Sequence, residues 1–207
     1  MKEIQQERVR QLNEKDINDG DYVLYWMQEA QRAEYNHALE YAVQRANEIG
    51  RRLLVLFGLT ADYPEANLRH YAFMLEGLRD VEEALQQRGI KFVVRPGSPD
   101  EVALELGTHA SMIVCDMSYL RPQKRWRERL AVEAHCLVTQ VETEVVVPVE
   151  LASDKREHAA RTLRPKIRRH LDNFLSELEP TEIEQRSLDM EAGGLDLADI
   201  GAILDGM

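Results

Sequence analysis

The chain has 207 residues, 44% of them hydrophobic and 30% charged, with a formal net charge of −11. That is enough apolar material for a packed core and too much for a disordered polymer. The acidic balance excludes non-specific nucleic-acid binding by the whole surface, since phosphate contacts need a basic face. No stretch reaches the roughly 18–20 apolar residues of a membrane span, and the start, MKEIQQERVR, has no signal-peptide core.

The charge is uneven. Between Ser176 and Met207 nine acids face one base, Arg186, so this segment alone contributes −8. The two cysteines, Cys115 and Cys136, make no CxxC pair and lie in apolar runs. They read as buried reduced thiols of a cytoplasmic protein.

Residues 1–20 are polar and carry no strand pattern, and Asp19-Gly20 marks a turn. Tyr22–Trp26 is a short aromatic and β-branched run, read as a buried strand. Residues 29–49 take helical spacing and stop at Gly50. Leu53–Phe57 is a second strand. Residues 66–88 form a second helix, with Leu68, Tyr71, Leu75, Leu78, Val81 and Leu85 on one face.

Lys91–Val94 is a third strand. A helix follows, with Ser98 as cap, Pro99 in the first turn and Glu101 three residues beyond the cap. Met112–Cys115 is a fourth strand ending at Asp116, residues 122–135 a helix, and Leu137–Val141 a fifth strand. Val145–Val149 is a further β-like segment. Residues 153–175 form one helix interrupted near Pro165, and residues 176–207 have linker composition with a short final helix.

Continuous apolar strands alternating with helices predict an α/β fold, doubly wound, with a five-stranded, mainly parallel sheet covered on both faces. The expected organisation is a polar segment at 1–20, the α/β domain at 21–150, a helical extension at 151–175 and an acidic linker at 176–207.

The usual nucleotide and catalytic signatures are missing. There is no GxGxxG after the first strand, no GxxxxGK[ST], no HExxH and no GxSxG. The six histidines are scattered, and none is expected to catalyse or to bind metal. Positional logic remains: open α/β sheets bind ligands beyond the C-terminal strand ends, at the switch in strand order.

Those ends carry Trp26, Met27 and Gln28, with Arg32 just beyond; Gly58 and Leu59, with Asp62 and Tyr63 in the next loop; and Cys115 and Asp116, with Tyr119 following. An aromatic, an amide and a carboxylate converging there suit a flat aromatic ligand. The competing reading is plain packing, with Trp26 and Met27 filling the rim and Asp116 capping the next helix. Two basic stretches stand out, one around Trp126 and one running from Lys155 to Arg169. Helical spacing puts Arg161, Arg164 and Arg168 on one face, near Lys166. That surface reads either as a solvated helix face or as a contact for DNA phosphates.

Long strings add a resemblance. YVLYWMQEAQR (22–32), FGLTADYPEANLRHY (57–71), GIKFVVRPGSPDEVA (89–103), VCDMSYLRPQK (114–124) and AARTLRPK (159–166) run in order along the chain. Together they resemble the N-terminal domain of class II cyclobutane-pyrimidine-dimer DNA photolyases, from about Val9 to Leu175. The resemblance implies a Rossmann-like domain that holds an antenna chromophore, in some members an 8-hydroxy-deazaflavin. It implies FAD in an all-helical C-terminal domain, of the same or a separate chain, and damaged DNA as the complete enzyme's substrate. It supplies no flavin or dimer residue here, so no lyase activity is expected of this chain alone. In that frame Arg161, Arg164, Lys166 and Arg168 face the helical domain or DNA. The alternative function is a stand-alone nucleotide- or flavin-type binding module on the same fold.

Overall fold

The computed structural model describes residues 3–207. In chain order it contains β1 (Val9–Gln11), β2 (Tyr22–Trp26), α1 (His37–Glu48), β3 (Arg52–Leu59), α2 (Leu68–Gln87), β4 (Lys91–Pro96) and α3 (Pro99–Gly107). There follow β5 (Ala110–Asp116), α4 (Arg121–Glu133), β6 (Leu137–Val141), α5 (Val149–Ala152), α6 (Ala160–Phe174) and α7 (Ile200–Asp205).

Six strands form one sheet in the order β1-β6-β5-β2-β3-β4. All neighbouring pairs are parallel except β1 with β6. The chain winds outward from β2 through β3 to β4, then crosses to β5 and β6, so the strand order reverses between β2 and β5.

Side chains alternate between two cores. Val23, Tyr25, Val55 and Phe57 face α1 and α2, whereas Leu24, Trp26, Leu54 and Leu56 face α3 and α4. Both faces are therefore buried, and this is why the strands read as continuous apolar runs.

The structure corrects the sequence reading in several places. The polar N-terminal segment contains a strand after all: β1 pairs antiparallel with β6, Val9 opposite Val141, which makes the sheet six-stranded rather than five-stranded. Its side chains are half or fully exposed, so no apolar pattern marks it. Helix α1 starts eight residues later than expected, capped by the Asn36 side chain accepting from Leu39 N–H; residues 28–36 are irregular. Val145–Val149 is no strand, because the Val145 and Val146 carbonyls accept from Arg8 and Pro148 has no N–H for a ladder. Ser98 takes the cap position without a capping bond, its hydroxyl going to Asp100 instead.

Helix α6 runs through Pro165 without a break. Pro165 is the sixth residue of the helix, so the intrahelical hydrogen bond that it gives up lies in the first turns.

The acidic segment packs against the body. Leu178, Ile183, Leu195, Ile200, Ile203 and Leu204 rest on the first core, and Leu197 is buried within it. Leu195 N–H donates to the Val94 carbonyl, Ser187 N–H to the Gly89 carbonyl, and Lys91 N–H to Ser187 Oγ. The free edge of β4 is covered in this way, as β1 covers the edge of β6.

His37, at the start of α1, is pushed down to about 4, by burial first and then by the nearby Arg8 and Arg32 charges. Its folded value lies below the ordinary 6.5. Its contribution to stability is therefore complete above about pH 6.5 and is lost as the pH falls towards 4. Between those limits unfolding takes up close to one proton. His37→Gln is expected to flatten this acid limb, by about 1 kcal/mol after allowance for screening. Urea titrations of both proteins at pH 7 and pH 4.5 read the difference.

Candidate functional site

A cavity of about 230 Å³ opens beyond the C-terminal ends of β2 and β3. Phe57, Gly58, Leu59 and Thr60 form its floor, Tyr63 and Ala66 come from the loop after β3, and His70, Tyr71 and Met74 from the first turns of α2. Gln28 and Gln31 line it from the loop after β2, and Gln123 and Trp126 from α4. Tyr63 and Trp126 stand with ring centroids 6.3 Å apart and planes tilted by 57°, an arrangement that adds to their area burial. The cavity thus lies beside the strand-order reversal, where open α/β sheets bind ligands.

Of the residues expected from the sequence, Gln28, Gly58, Leu59 and Tyr63 line this cavity. Trp26 and Met27 are buried in the two cores; Trp26 reaches the site only through its indole N–H, which donates to Gln28 Oε1 at 2.9 Å. Arg32 points away to Glu144 and the Thr143 carbonyl. Asp62 is exposed outside the lining. Cys115 is buried in the second core, its thiol pushed up to about 12 by that burial. Tyr119 bonds Glu142.

Asp116 does not cap α4. It reaches across the sheet to the loop after β2, where Oδ2 accepts from the N–H groups of Gln28, Glu29 and Ala30 at 2.9–3.0 Å. Its Oδ1 accepts from the Tyr25 hydroxyl at 2.6 Å. Burial pushes its carboxyl up from the ordinary value, and the four hydrogen bonds that it accepts oppose that shift. Asn36 closes the knot, donating to Tyr25 Oη and to the Ala30 and Arg32 carbonyls. The loop bearing Gln28 and Gln31 is therefore fixed from below.

The polar groups of the cavity differ in what they still offer. Gln28 is committed: Nε2 donates to the Gly58 carbonyl, and Oε1 accepts from Trp26 and Gly58 N–H. His70 Nδ1 accepts from Asn67 N–H in a capping box, which puts the proton of the neutral ring on Nε2. Gln123 donates through Nε2 to Glu29 Oε2 at 2.6 Å, and its Oε1 is buried without a partner.

Gly58 has a packing reason of its own. A Cβ there would lie 2.6 Å from Pro99 Cα, so the glycine lets α3 approach β3. Gly58→Ala is expected to cost about 2 kcal/mol by overpacking and to shift the cavity floor, read as a lowered urea midpoint.

Sequence reasoning missed the second half of the lining. Thr60, Ala66, His70, Tyr71 and Met74 lie on the loop after β3 and on α2, and Gln123 and Trp126 on α4, where only topology brings them together. The one signal the sequence offered was the basic stretch around Trp126, which carried no hint of a cavity.

The basic face is present: Arg161, Arg164 and Arg168 are exposed along α6, with no ion pair among the described residues. Lys166 instead pairs with Glu157 at 2.6 Å. Beside this helix an apolar hollow runs along Val145, Val147, Leu163 and Ile167. Among the described residues no helix is long and apolar enough to cross a membrane, and no cluster of ligating side chains suits a metal ion.

A profile of the DNA photolyase family matches residues 23–185. A deoxyribodipyrimidine photo-lyase of Methanothermobacter thermautotrophicus is 49% identical over 192 residues, covering 92% of this chain and 43% of that protein. The enzyme of the same name from Potorous tridactylus is 34% identical over 84% of this chain and 33% of its own length. Among solved structures, the archaeal photolyase of Sulfolobus tokodaii, described with two FAD molecules, superposes with a TM-score of 0.68 at 15% identity, covering 88% of this chain and 41% of its own. A class III photolyase from Agrobacterium tumefaciens gives 0.64 at 14% identity over 88% of this chain and 38% of its own. At these identities the structural likeness shows the fold alone. The chain spans less than half the length of the curated relatives it matches. It belongs to the DNA photolyase family and carries that family's N-terminal α/β domain.

Proposed function

We propose that this chain is the antenna-binding domain of a class II cyclobutane-pyrimidine-dimer photolyase, and that the cavity beside Trp126 holds the antenna, an 8-hydroxy-deazaflavin. The class II reading rests on the collinear motif strings. The cavity reading rests on one observation above the others: the hollow opens beside the reversal of strand order and is walled by Phe57, Leu59, Tyr63, Met74 and Trp126. Flat apolar walls with a few fixed polar atoms are what a planar heteroaromatic ring needs. At about 230 Å³ the cavity is smaller than the roughly 300–1,000 Å³ of typical ligand sites, so it would hold part of such a molecule rather than all of it.

A ring held there would supply light absorption, with its energy passed on to a flavin in a helical C-terminal domain where the dimer in damaged DNA would be repaired. In that division of labour this domain binds, orients and shields the antenna, and the lyase chemistry belongs to the rest of the enzyme. The helical domain is the expected partner, reached through the α6 segment and the apolar hollow beside it. The two buried thiols support a cytoplasmic setting.

Equilibrium dialysis of the chain with 8-hydroxy-5-deazariboflavin tests the reading. One site per chain is expected, weakened at least about tenfold by Ala66→Trp, which fills the hollow. Binding unaffected by Ala66→Trp would place the chromophore elsewhere.

A further inference from the structure

The chain carries a net charge of −11, yet residues 155–169 hold seven cations against one acid, Glu157. Lys166 alone is neutralised within the chain, by Glu157 at 2.6 Å. Lys155, Arg156, Arg161, Arg164, Arg168 and Arg169 are exposed. Their side chains have no ion-pair partner among the described residues. The acids of the segment that follows do not reach them; Asp189, for example, pairs with Arg52.

Helix α6 separates this charge from its apolar side. Leu163 and Ile167 border the hollow, and Phe174 is buried. At 3.6 residues per turn, Arg161, Arg164 and Arg168 come round to the opposite face. They form a row about 10 Å long at 1.5 Å of rise per residue. Along one strand of a duplex that length matches about three phosphate repeats of 3.4 Å. Asp172 is the single acid of the helix. No large hydrophobic side chain is exposed on α6. Protein–protein interfaces centre on an apolar patch depleted of charge, whereas protein–DNA interfaces are polar and strongly cationic. Guanidinium forks also match pairs of phosphate oxygens.

We infer that the outer face of α6, through Arg161, Arg164 and Arg168, is a docking surface for the phosphate backbone of duplex DNA. Such a contact positions the duplex and reads no sequence. No residue of α6 lines the cavity beyond β2 and β3, so the inference does not depend on the chromophore reading.

Fluorescence anisotropy of an undamaged duplex of about 20 base pairs, titrated with the chain between about 20 and 200 mM salt, tests it. The logarithm of the binding constant is expected to fall with the logarithm of salt concentration at a slope of about −2.7, for three phosphates. Arg161→Gln, Arg164→Gln and Arg168→Gln should each reduce that slope by about one. The triple substitution should weaken binding at least about tenfold at the lowest salt. Arg79→Gln removes an exposed cation of α2 and should leave binding within about twofold. Absence of duplex binding by the unmodified chain at the lowest salt would overturn the inference, and that measurement needs no variant to fold. Binding that survives the triple substitution, or that falls equally in Arg79→Gln, would also overturn it, since the attraction would then lie elsewhere or be diffuse. Capture of poly-L-glutamate in place of the duplex, lost in the triple variant, would assign the face to an acidic protein and overturn it too.

Discussion

Glu40→Ala is expected to destabilise the chain by about 3–5 kcal/mol and to loosen its last thirty residues. Glu40 lies inside α1 and is 3% exposed. Its two oxygens accept from the two terminal nitrogens of Arg88, at 2.8 and 3.1 Å, a forked pairing that fixes geometry as well as charge. Glu40 Oε2 also accepts from Thr181 N–H at 2.6 Å, and Arg88 donates to the Thr181 carbonyl at 3.0 Å. One buried pair thus joins α1, the end of α2 and the acidic segment. Removing one partner leaves a half-buried guanidinium uncompensated, the costly way to break such a pair. Arg88→Met in the same background is expected to recover part of the loss, because no charge is then stranded. Urea unfolding measures the cost, and hydrogen exchange at Thr181, Ser187 and Leu195 measures the loosening. Unchanged protection at those amides would mean that apolar packing alone holds the segment.

Arg8→Ala is expected to cost about 3 kcal/mol and to strip β1 from the sheet edge. The Arg8 side chain is buried and donates to Gln5 Oε1 and to the carbonyls of Glu142, Val145 and Val146, at 2.5–3.2 Å. The guanidinium also sits 5.2 Å above the Phe174 ring, within cation–π range. It therefore ties the N-terminal segment, the loop after β6 and the end of α6 together. Truncation leaves three carbonyls without their donor, each worth roughly 1–3 kcal/mol if water does not reach it. Arg8→Lys is not expected to rescue, since a single ammonium cannot span the same fork. The urea midpoint should fall in both variants, with exchange rising first at Val9 and Gln11.

These two residues also mark where sequence reading stops. The five core strands were legible because burial on both faces leaves uninterrupted apolar runs, and Gly50 and Gly89 punctuate the helices before β3 and β4. The edge strand β1 was not, because its side chains face solvent and its place depends on Arg8, 134 positions from the nearest carbonyl that it binds. The acidic segment looked like a linker because composition averages nine acids with apolar residues that the fold separates: Leu178, Ile183, Leu195 and Leu197 turn inward while the acids face water. For the site, strand-end logic reached Gln28, Gly58, Leu59 and Tyr63. It also named Asp116, whose part is to hold the Gln28 loop, and Arg32, which braces that loop against Glu144. It did not reach Gln123, because the orphaned oxygen follows from a contact with Glu29 that no local pattern encodes.

We place the chromophore, as proposed above, in the hollow at the ends of β2 and β3. Backbone amide shifts of the chain, followed as 8-hydroxy-5-deazariboflavin is added, test it most directly. Saturable shifts are predicted at Gly58, Thr60, Ala66 and Gln123, with the α6 face from Arg161 to Arg168 unmoved. Shifts confined to Val145–Ile167, or none at saturating chromophore, would contradict it.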